Sequence, residues 1–215
     1  MQRSESFFLG ALLSFSGGLQ DAYTYNIRDH VFANAQTGNV VLMSQNFMSG
    51  NWEDGIDHLF ALLSFVAGVF LSECIEGKLK FNKKIHWRQL ILLIEFLLLL
   101  IVGFIPPEYN ILANMAVSCA CAMQVHAFRK LRGQNYASTM CIGNLKSGTS
   151  YLVRFIRNGT SIDLLSASLY VAIILIFAIG AGAGGILSGI IGIRTIWISC
   201  VFLLISTLYM IKETA

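Results

Sequence analysis

The stretch QLILLIEFLLLLIVGF, Gln89 to Phe104, decides the fold class, because a helix built from it would be apolar on every side. A soluble helix of this length keeps a polar face, so a soluble helical bundle is the poorer interpretation. The rest of the chain agrees, since 55% of its 215 residues are hydrophobic and only 13% are charged. A soluble domain carries about 25% charged residues. The sequence therefore predicts an all-α integral membrane protein.

Six stretches are apolar enough to span a bilayer as helices, which takes roughly 20 residues each. They are about 7–26, 56–76, 89–105, 110–128, 164–188 and 194–212. Two further stretches, about 32–50 and 136–155, contain polar residues and a Gly-Asn pair. We call these two the Gly-Asn segments. The chain has eight spans if both cross the membrane, and six if both enter it and return.

The basic residues favour six spans, because cytoplasmic loops carry an excess of Lys and Arg. With six spans and both termini inside, only Arg28 and Arg194 lie outside, which leaves thirteen of the fifteen basic residues on the cytoplasmic side. Eight spans would move four of the thirteen outside and put Lys146 in the bilayer. We therefore expect six transmembrane helices plus two broken or re-entrant segments, with both termini cytoplasmic.

The two halves of the chain, 1–105 and 106–215, are interpreted as repeats. Several residues recur in order at offsets of 104 or 105. The pairs are Gln20 with Gln124, Arg28 with Arg132, Gly38 with Gly143 and Asn39 with Asn144. Each half has three spans, an odd number, so the second half enters the membrane inverted. Inverted repeats whose broken helices meet near the midplane are a transporter architecture.

The Gly-Asn pairs indicate what the interrupted segments do. Glycine allows a tight turn, and asparagine is a preferred N-cap of a helix. Two helix N-termini that approach from opposite faces would form a polar waist that tolerates anions. The expected substrate-binding residues are Asn39, Asn144, Thr37, Gly38, Gly143, Gln20, Asp21, Tyr23 and Gln124. The plainer alternative is that each pair ends one ordinary helix and turns into the next.

Ionisable residues inside apolar segments are functional candidates, because a charge there costs several kcal/mol unless it is paired, wetted or protonated. Glu95 is the candidate for proton coupling; the alternative is a structural hydrogen bond to a neighbouring helix. Asp21 is expected either to pair with Arg28 or to face the waist. The carboxylates of Glu73 and Glu76 are expected to be partly exposed at the inner end of the second span.

The stretch GAGAGGILSG, Gly180 to Gly189, brings two small-xxx-small pairs onto one helix. Such pairs let helices approach closely. They serve packing inside one chain or form a seam between two copies.

Two stretches carry a family resemblance: GGLQDAYTYNIRDHVFANAQTGNVVLMS, residues 17–44, and AMQVHAFRKLRGQNYASTMCIGNLKSG, residues 122–148. Both resemble the YoaK family of bacterial multi-spanning inner-membrane proteins. The second stretch departs from that family's pattern at Ile142, where a threonine is typical. The resemblance implies a multi-pass protein of the bacterial inner, cytoplasmic membrane, and the family has no assigned function.

The function expected from the sequence is a small inverted-repeat permease or channel for a small polar or anionic solute. The alternative is a membrane scaffold or sensor that transports nothing. An enzyme is not expected, because the chain has no nucleophile–base pair, no zinc-binding His spacing and no glycine-rich phosphate loop. We expect no cofactor, no metal and no nucleic acid. The expected partners are the lipid bilayer, a small solute or ion, and a second copy of the chain in a homodimer.

Overall fold

A computed structural model of the chain describes residues 2–80 and 86–211, with the side chain of Ile211 excepted. Within these residues the fold is all-α, as predicted. The helices are α1 (Phe7–Ile27), α2 (Gln36–Ser49), α3 (Trp52–Leu79), α4 (Trp87–Val102), α5 (Asn110–Ala127), α6 (Cys141–Asn158), α7 (Ser161–Ile191) and α8 (Ile196–Ile211). Three short 3₁₀ turns cover Arg3–Glu5, Pro107–Tyr109 and Gly192–Thr195.

Local sequence explains where several of these helices begin and end. The Ser6 hydroxyl caps α1 by accepting a hydrogen bond from the Leu9 N–H at 3.2 Å. The helices α2 and α6 end at Gly50 and Gly159, whose φ angles of 83° and 65° suit glycine. The left-handed C-cap is a common helix stop. These caps fix the lengths of the two short helices in the Gly-Asn segments.

A small hairpin between α5 and α6 is an addition to the predicted all-α fold. Strand β1 (Lys130–Leu131) pairs antiparallel with β2 (Gln134–Asn135). The two turn residues, Arg132 and Gly133, both have positive φ, at 49° and 79°. A two-residue turn of this kind matches the natural twist of a hairpin. The hairpin turns the chain back toward the middle of the helical bundle.

The packing of the helices leaves α2 and α6 at the periphery. The helix α1 packs on α7 and α8, while α5 packs on α3 and α4, and α4 also packs on α8. The main apolar core lies among α1, α4, α5 and α8. In contrast, α2 rests mainly on α3, and α6 mainly on α7. The helices α2 and α6 therefore each pack mainly on one neighbour and leave much of their surface exposed.

Glycines set the closest helix contacts, as the small-xxx-small pattern predicted. A Cβ atom on Gly180 would collide with the Phe15 carbonyl of α1, and one on Gly184 would lie 2.6 Å from the Leu19 carbonyl. A Cβ atom on Gly182 would meet nothing within 4 Å. The pair Gly180 and Gly184 therefore serves packing inside the chain.

Arg28 lies in the core, whereas the six-span topology placed it among the residues outside the membrane. Its guanidinium donates to the Tyr23 hydroxyl at 2.9 Å and to Asn110 Oδ1 at 2.7 Å. It also donates to the carbonyls of Val102 at 3.0 Å and Ile105 at 2.9 Å, at and just after the end of α4. Arg28 therefore ties α1, α4 and α5 together and does not pair with Asp21.

Two helical stretches are long and apolar enough to cross a membrane by length and composition. They are Trp52–Leu79 and Ser161–Met210, the second of which runs through α7, a short 3₁₀ turn and α8. They contain the predicted spans 56–76, 164–188 and most of 194–212. The predicted spans 7–26, 89–105 and 110–128 coincide with the helices α1, α4 and α5, although α4 ends three residues early.

Candidate functional site

Both Gly-Asn segments return to the same place on α1. The Asn34 amide donates to the Gly17 carbonyl at 3.2 Å, and the Asn34 N–H donates to Asp21 Oδ1 at 2.7 Å. On the other side, a Cβ atom on Gly17 would lie 2.7 Å from Cγ2 of Thr139. Gly17 is the central residue of the 21 in α1. It therefore lies about 15 Å from either end of the helix, at 1.5 Å per residue.

Asn39 and Asn144 are not N-caps, which corrects the sequence prediction. The N-cap positions are Ala35 and Met140, and neither helix has a side-chain cap. Each asparagine is instead the fourth residue of its helix. Its side chain points back toward the N-terminus, as helical side chains do, and so reaches the extended chain that precedes the helix.

Both asparagines make the same pair of hydrogen bonds, to a residue seven positions earlier. Asn39 accepts from the Phe32 N–H at 3.1 Å and donates to the Phe32 carbonyl at 2.7 Å. Asn144 does the same with Ala137, at 3.2 Å and 2.7 Å. We call each pair of bonds an amide clamp. The clamps hold the extended tips of both segments against the first turns of α2 and α6.

Gly38 and Gly143 do not form tight turns, contrary to the sequence prediction. Both lie inside helices, and neither has a positive φ. A Cβ atom on Gly38 would lie 3.1 Å from the Phe32 ring, whereas one on Gly143 would meet nothing within 4 Å. Gly38 therefore makes room for the clamped tip, and Gly143 has no such constraint.

A cavity of about 360 Å³ lies between the two tips. Its lining comes from α1, from the entrances to α2 and α6, and from α7. The lining residues are Asp21, Asn34, Ala35, Gln36, Thr37, Thr139, Met140, Cys141, Ile142 and Phe177. Asp21 and Thr37 belong to the set predicted from the sequence. The N-termini of both short helices thus border one cavity, whose lining combines polar and apolar side chains.

None of the other predicted site residues lines the cavity. Gln20 donates to Ser16 at 2.9 Å and accepts from the Cys121 thiol at 2.8 Å. Gln124 donates to Ser138 at 2.8 Å, which ties α5 to the second tip. Tyr23 is fully buried against Arg28. Of these three side chains, Gln124 contacts the tip that borders the cavity, whereas Gln20 and Tyr23 make their bonds elsewhere.

Glu95 is fully buried in α4, as its expected interior position requires. The Gln20 amide faces its carboxyl group. Neither carboxyl oxygen has a hydrogen bond of ordinary geometry to the described part of the chain. The thiols of Cys121 and Cys200 lie nearby.

A second polar cluster, at the far end of α3, was not predicted. His126 Nε2 lies 3.2 Å from Glu73 Oε2 and 3.1 Å from Glu76 Oε2. Glu76 is buried, which corrects its expected exposure, and it pairs with Lys80 at 2.9 Å and Arg129 at 3.1 Å. The three ligand atoms have metal-binding spacing. Two cations already bind the Glu76 carboxylate, so the cluster is an ion-pair network that joins α3 to α5.

Comparison with known proteins gives one result. The sequence model of the family described as "Protein of unknown function (DUF1275)" matches residues 9–209. No curated protein and no solved structure matches the chain.

Proposed function

We propose a function for this chain, which belongs to the DUF1275 family of unknown function. The proposal rests on the geometry of the chain. The protein is a small inverted-repeat permease or channel that carries a small polar solute through the cavity between the two Gly-Asn segments. The observation that carries this proposal is the meeting of both helix entrances, α2 and α6, at the central residue of α1.

Symmetric helix contacts support the inverted repeat of three spans per half, 1–105 and 106–215. Exchanging α1–α4 with α5–α8 converts the contact of α1 with α7 into that of α5 with α3. The same exchange converts the contact of α2 with α3 into that of α6 with α7. It also converts the contact of α4 with α5 into that of α8 with α1. Each helix of one half therefore has a counterpart in the other half with corresponding contacts.

Individual atoms follow the same exchange. Gly68 of the first half packs on the Cys119 carbonyl of the second, and Gly180 of the second half packs on the Phe15 carbonyl of the first. Phe15 and Cys119 are 104 residues apart, which is the offset that relates Gln20 to Gln124. The two amide clamps recur at an offset of 105. These agreements support two copies of one folding unit.

The lengths of α2 and α6 support re-entry without crossing. The 14 residues of α2 extend about 21 Å and the 18 residues of α6 about 27 Å, at 1.5 Å per residue. Both helices start at the depth of Gly17, and the apolar core of a bilayer is about 30 Å thick. We propose that α2 runs from this depth to the outer face and α6 to the inner face.

The proposed location is the bacterial inner membrane, with six spans and both termini cytoplasmic. The basic residues Arg129, Lys130, Arg154 and Arg157 would then lie at the inner face, in keeping with the positive-inside bias. Three further basic residues of this tally, Lys83, Lys84 and Lys212, lie outside the described residues. A second copy of the chain is a proposed partner, with the exposed faces of α2 and α6 as the proposed contact.

The test is a flux screen with a matched pair of substitutions. Cys141 lines the cavity, whereas Cys74 is exposed on α3 away from it. Proteoliposomes with the purified protein are screened for uptake of small polar and anionic solutes. At least one solute should enter faster than into protein-free liposomes, and Cys141→Trp should block that uptake while Cys74→Trp leaves it unchanged. Uptake of no solute would reject the proposal in favour of the scaffold or sensor alternative.

A further inference from the structure

The two helix entrances at the cavity differ in one respect. At α2 the chain provides an acceptor of its own, the Asp21 carboxylate. Asp21 accepts from the Asn34 N–H at 2.7 Å, and the N–H groups of Ala33 and Ala35 are also directed at it. The residue in α5 that corresponds to Asp21, at the offset of 104, is Val125. The entrance to α6 therefore lacks the acceptor that the entrance to α2 has.

The first N–H groups of α6 consequently face the cavity without a side-chain partner. The helix has no side-chain cap, and the N–H groups of Cys141 and Ile142 precede the first position at which an intrahelical bond can form. Together with the helix dipole they present a weakly positive donor surface. Asn144 cannot serve there, because the amide clamp to Ala137 uses both ends of its side chain.

Two buried side chains give independent evidence of a ligand. Asn34 and Thr139 are only 1% and 3% exposed, and both line the cavity. Asn34 Oδ1 and Thr139 Oγ1 have no hydrogen-bond partner among the described residues. Buried polar atoms are nearly always paired with protein or with a bound molecule. The Asn34 amide nitrogen and Cγ2 of Thr139 both lie at Gly17, so the two side chains flank the same part of the cavity.

The cavity wall therefore has an acceptor side and a donor side. Asp21 and Asn34 Oδ1 offer acceptors, while Thr139 and the start of α6 offer donors. No Lys, Arg or His side chain is among its lining residues. The titratable groups near Asp21 are the thiols of Cys121 on α5 and Cys141 on α6, and Phe177 closes the side toward α7.

We infer that the cavity binds a small neutral solute that carries a carbonyl acceptor beside N–H donors, as a primary carboxamide or urea does. The carbonyl oxygen accepts from the start of α6 and Thr139, and the N–H groups donate to Asp21 and Asn34. A carboxylate would set its oxygens against the Asp21 carboxylate with no cation nearby. An ammonium ion would meet the positive end of α6. This inference rests on the proposed transport function and names its solute class.

The first measurement needs no substitution. Purified full-length protein is alkylated with N-ethylmaleimide, with and without acetamide, and modification is read at each cysteine by mass spectrometry. Acetamide should slow modification of Cys141 and leave that of Cys74 unchanged, so each molecule carries its own control. Equal protection by sodium propionate, or no protection by acetamide, would overturn the inference.

The second measurement is uptake by proteoliposomes, followed by stopped-flow light scattering. Acetamide and urea should enter faster than propionate or methylammonium. The variant Thr139→Val should slow amide uptake about fivefold, the effect of losing one ordinary hydrogen bond. Thr149→Val, the same substitution at an exposed position on α6, should have no effect.

The outcomes separate the two proposals. Uptake of propionate or methylammonium in place of amides would overturn the solute class and leave the transport function standing. Amide uptake that Thr139→Val does not slow would overturn the assignment of this wall. If no solute enters, the transport function fails and the inference fails with it. A melting curve in detergent shows whether each variant has folded. If a variant has not folded, the alkylation of the unsubstituted protein decides whether the inference holds.

Discussion

Asn39 shows how one side chain can fix the shape of an interrupted helical segment. Its amide satisfies both the N–H and the carbonyl of Phe32, and its oxygen also lies 3.2 Å from His58 Nδ1. Irregular backbone at membrane depth needs internal partners, because lipid offers none. The sequence identified Asn39 and Asn144 as special but misassigned them as caps. Capping is a local rule, whereas the clamps depend on how the preceding tip folds back.

Removing a clamp should destabilise the protein. Asn39→Leu leaves the N–H and the carbonyl of Phe32 without partners, which costs about 2–4 kcal/mol in total. We expect a melting temperature several degrees lower in detergent. The control is Asn46→Leu on the same helix, where the side chain makes one long contact of 3.5 Å with Asn51. Equal melting temperatures for both variants would show that the clamp contributes nothing.

Glu95 permits a test of proton coupling against a structural role. If the solute is neutral and uncoupled, uptake should not change from mildly acidic to neutral pH, and Glu95→Gln should transport like the wild type. Glu95→Leu should be as stable or more stable, because replacing a buried unpaired polar group with an apolar one is often favourable. Uptake that rises in acid, and loses this dependence in Glu95→Gln, would establish coupling through Glu95.

The helices are the level at which the sequence was most informative. Apolar runs located α1, α3, α5, α7 and α8 to within a few residues, because burial in lipid or protein requires the same composition along the whole segment. The glycine pattern in α7 likewise indicated close packing. The ion-pair cluster of His126, Glu73 and Glu76 gave no sequence signal, because its members become neighbours only when α3 packs on α5.

The contact between α1 and α7 predicts opposite effects for two glycines of one helix. Gly180→Ala should lower stability markedly, because its methyl group would collide with the Phe15 carbonyl. Gly182→Ala has open space and should raise stability by up to about 1 kcal/mol, the helix-propensity difference between the two residues. Thermal unfolding in detergent measures both. Destabilisation by Gly182→Ala equal to that by Gly180→Ala would contradict this packing.

Labelling from the two sides of the membrane tests the topology of the whole molecule. In the six-span arrangement, Asp54 lies at the outer face and Asn158 at the inner face. Single cysteines at these positions should therefore react with a membrane-impermeant maleimide from opposite sides. Intact cells should label Asp54→Cys, and Asn158→Cys should react only after the membrane is opened. Labelling of Asn158→Cys in intact cells would rule out six spans with re-entrant segments.

Gly17 has a consequence for how such a protein can evolve. After a duplication, the two copies of a folding unit can usually accumulate changes separately. Here the first tip bonds to the Gly17 carbonyl and the second packs 2.7 Å from where its Cβ atom would be. A single methyl group at this residue would push on the second tip and disturb the position that anchors the first. The two Gly-Asn segments therefore constrain this one residue jointly, so a substitution at Gly17 that suits one segment must also suit the other.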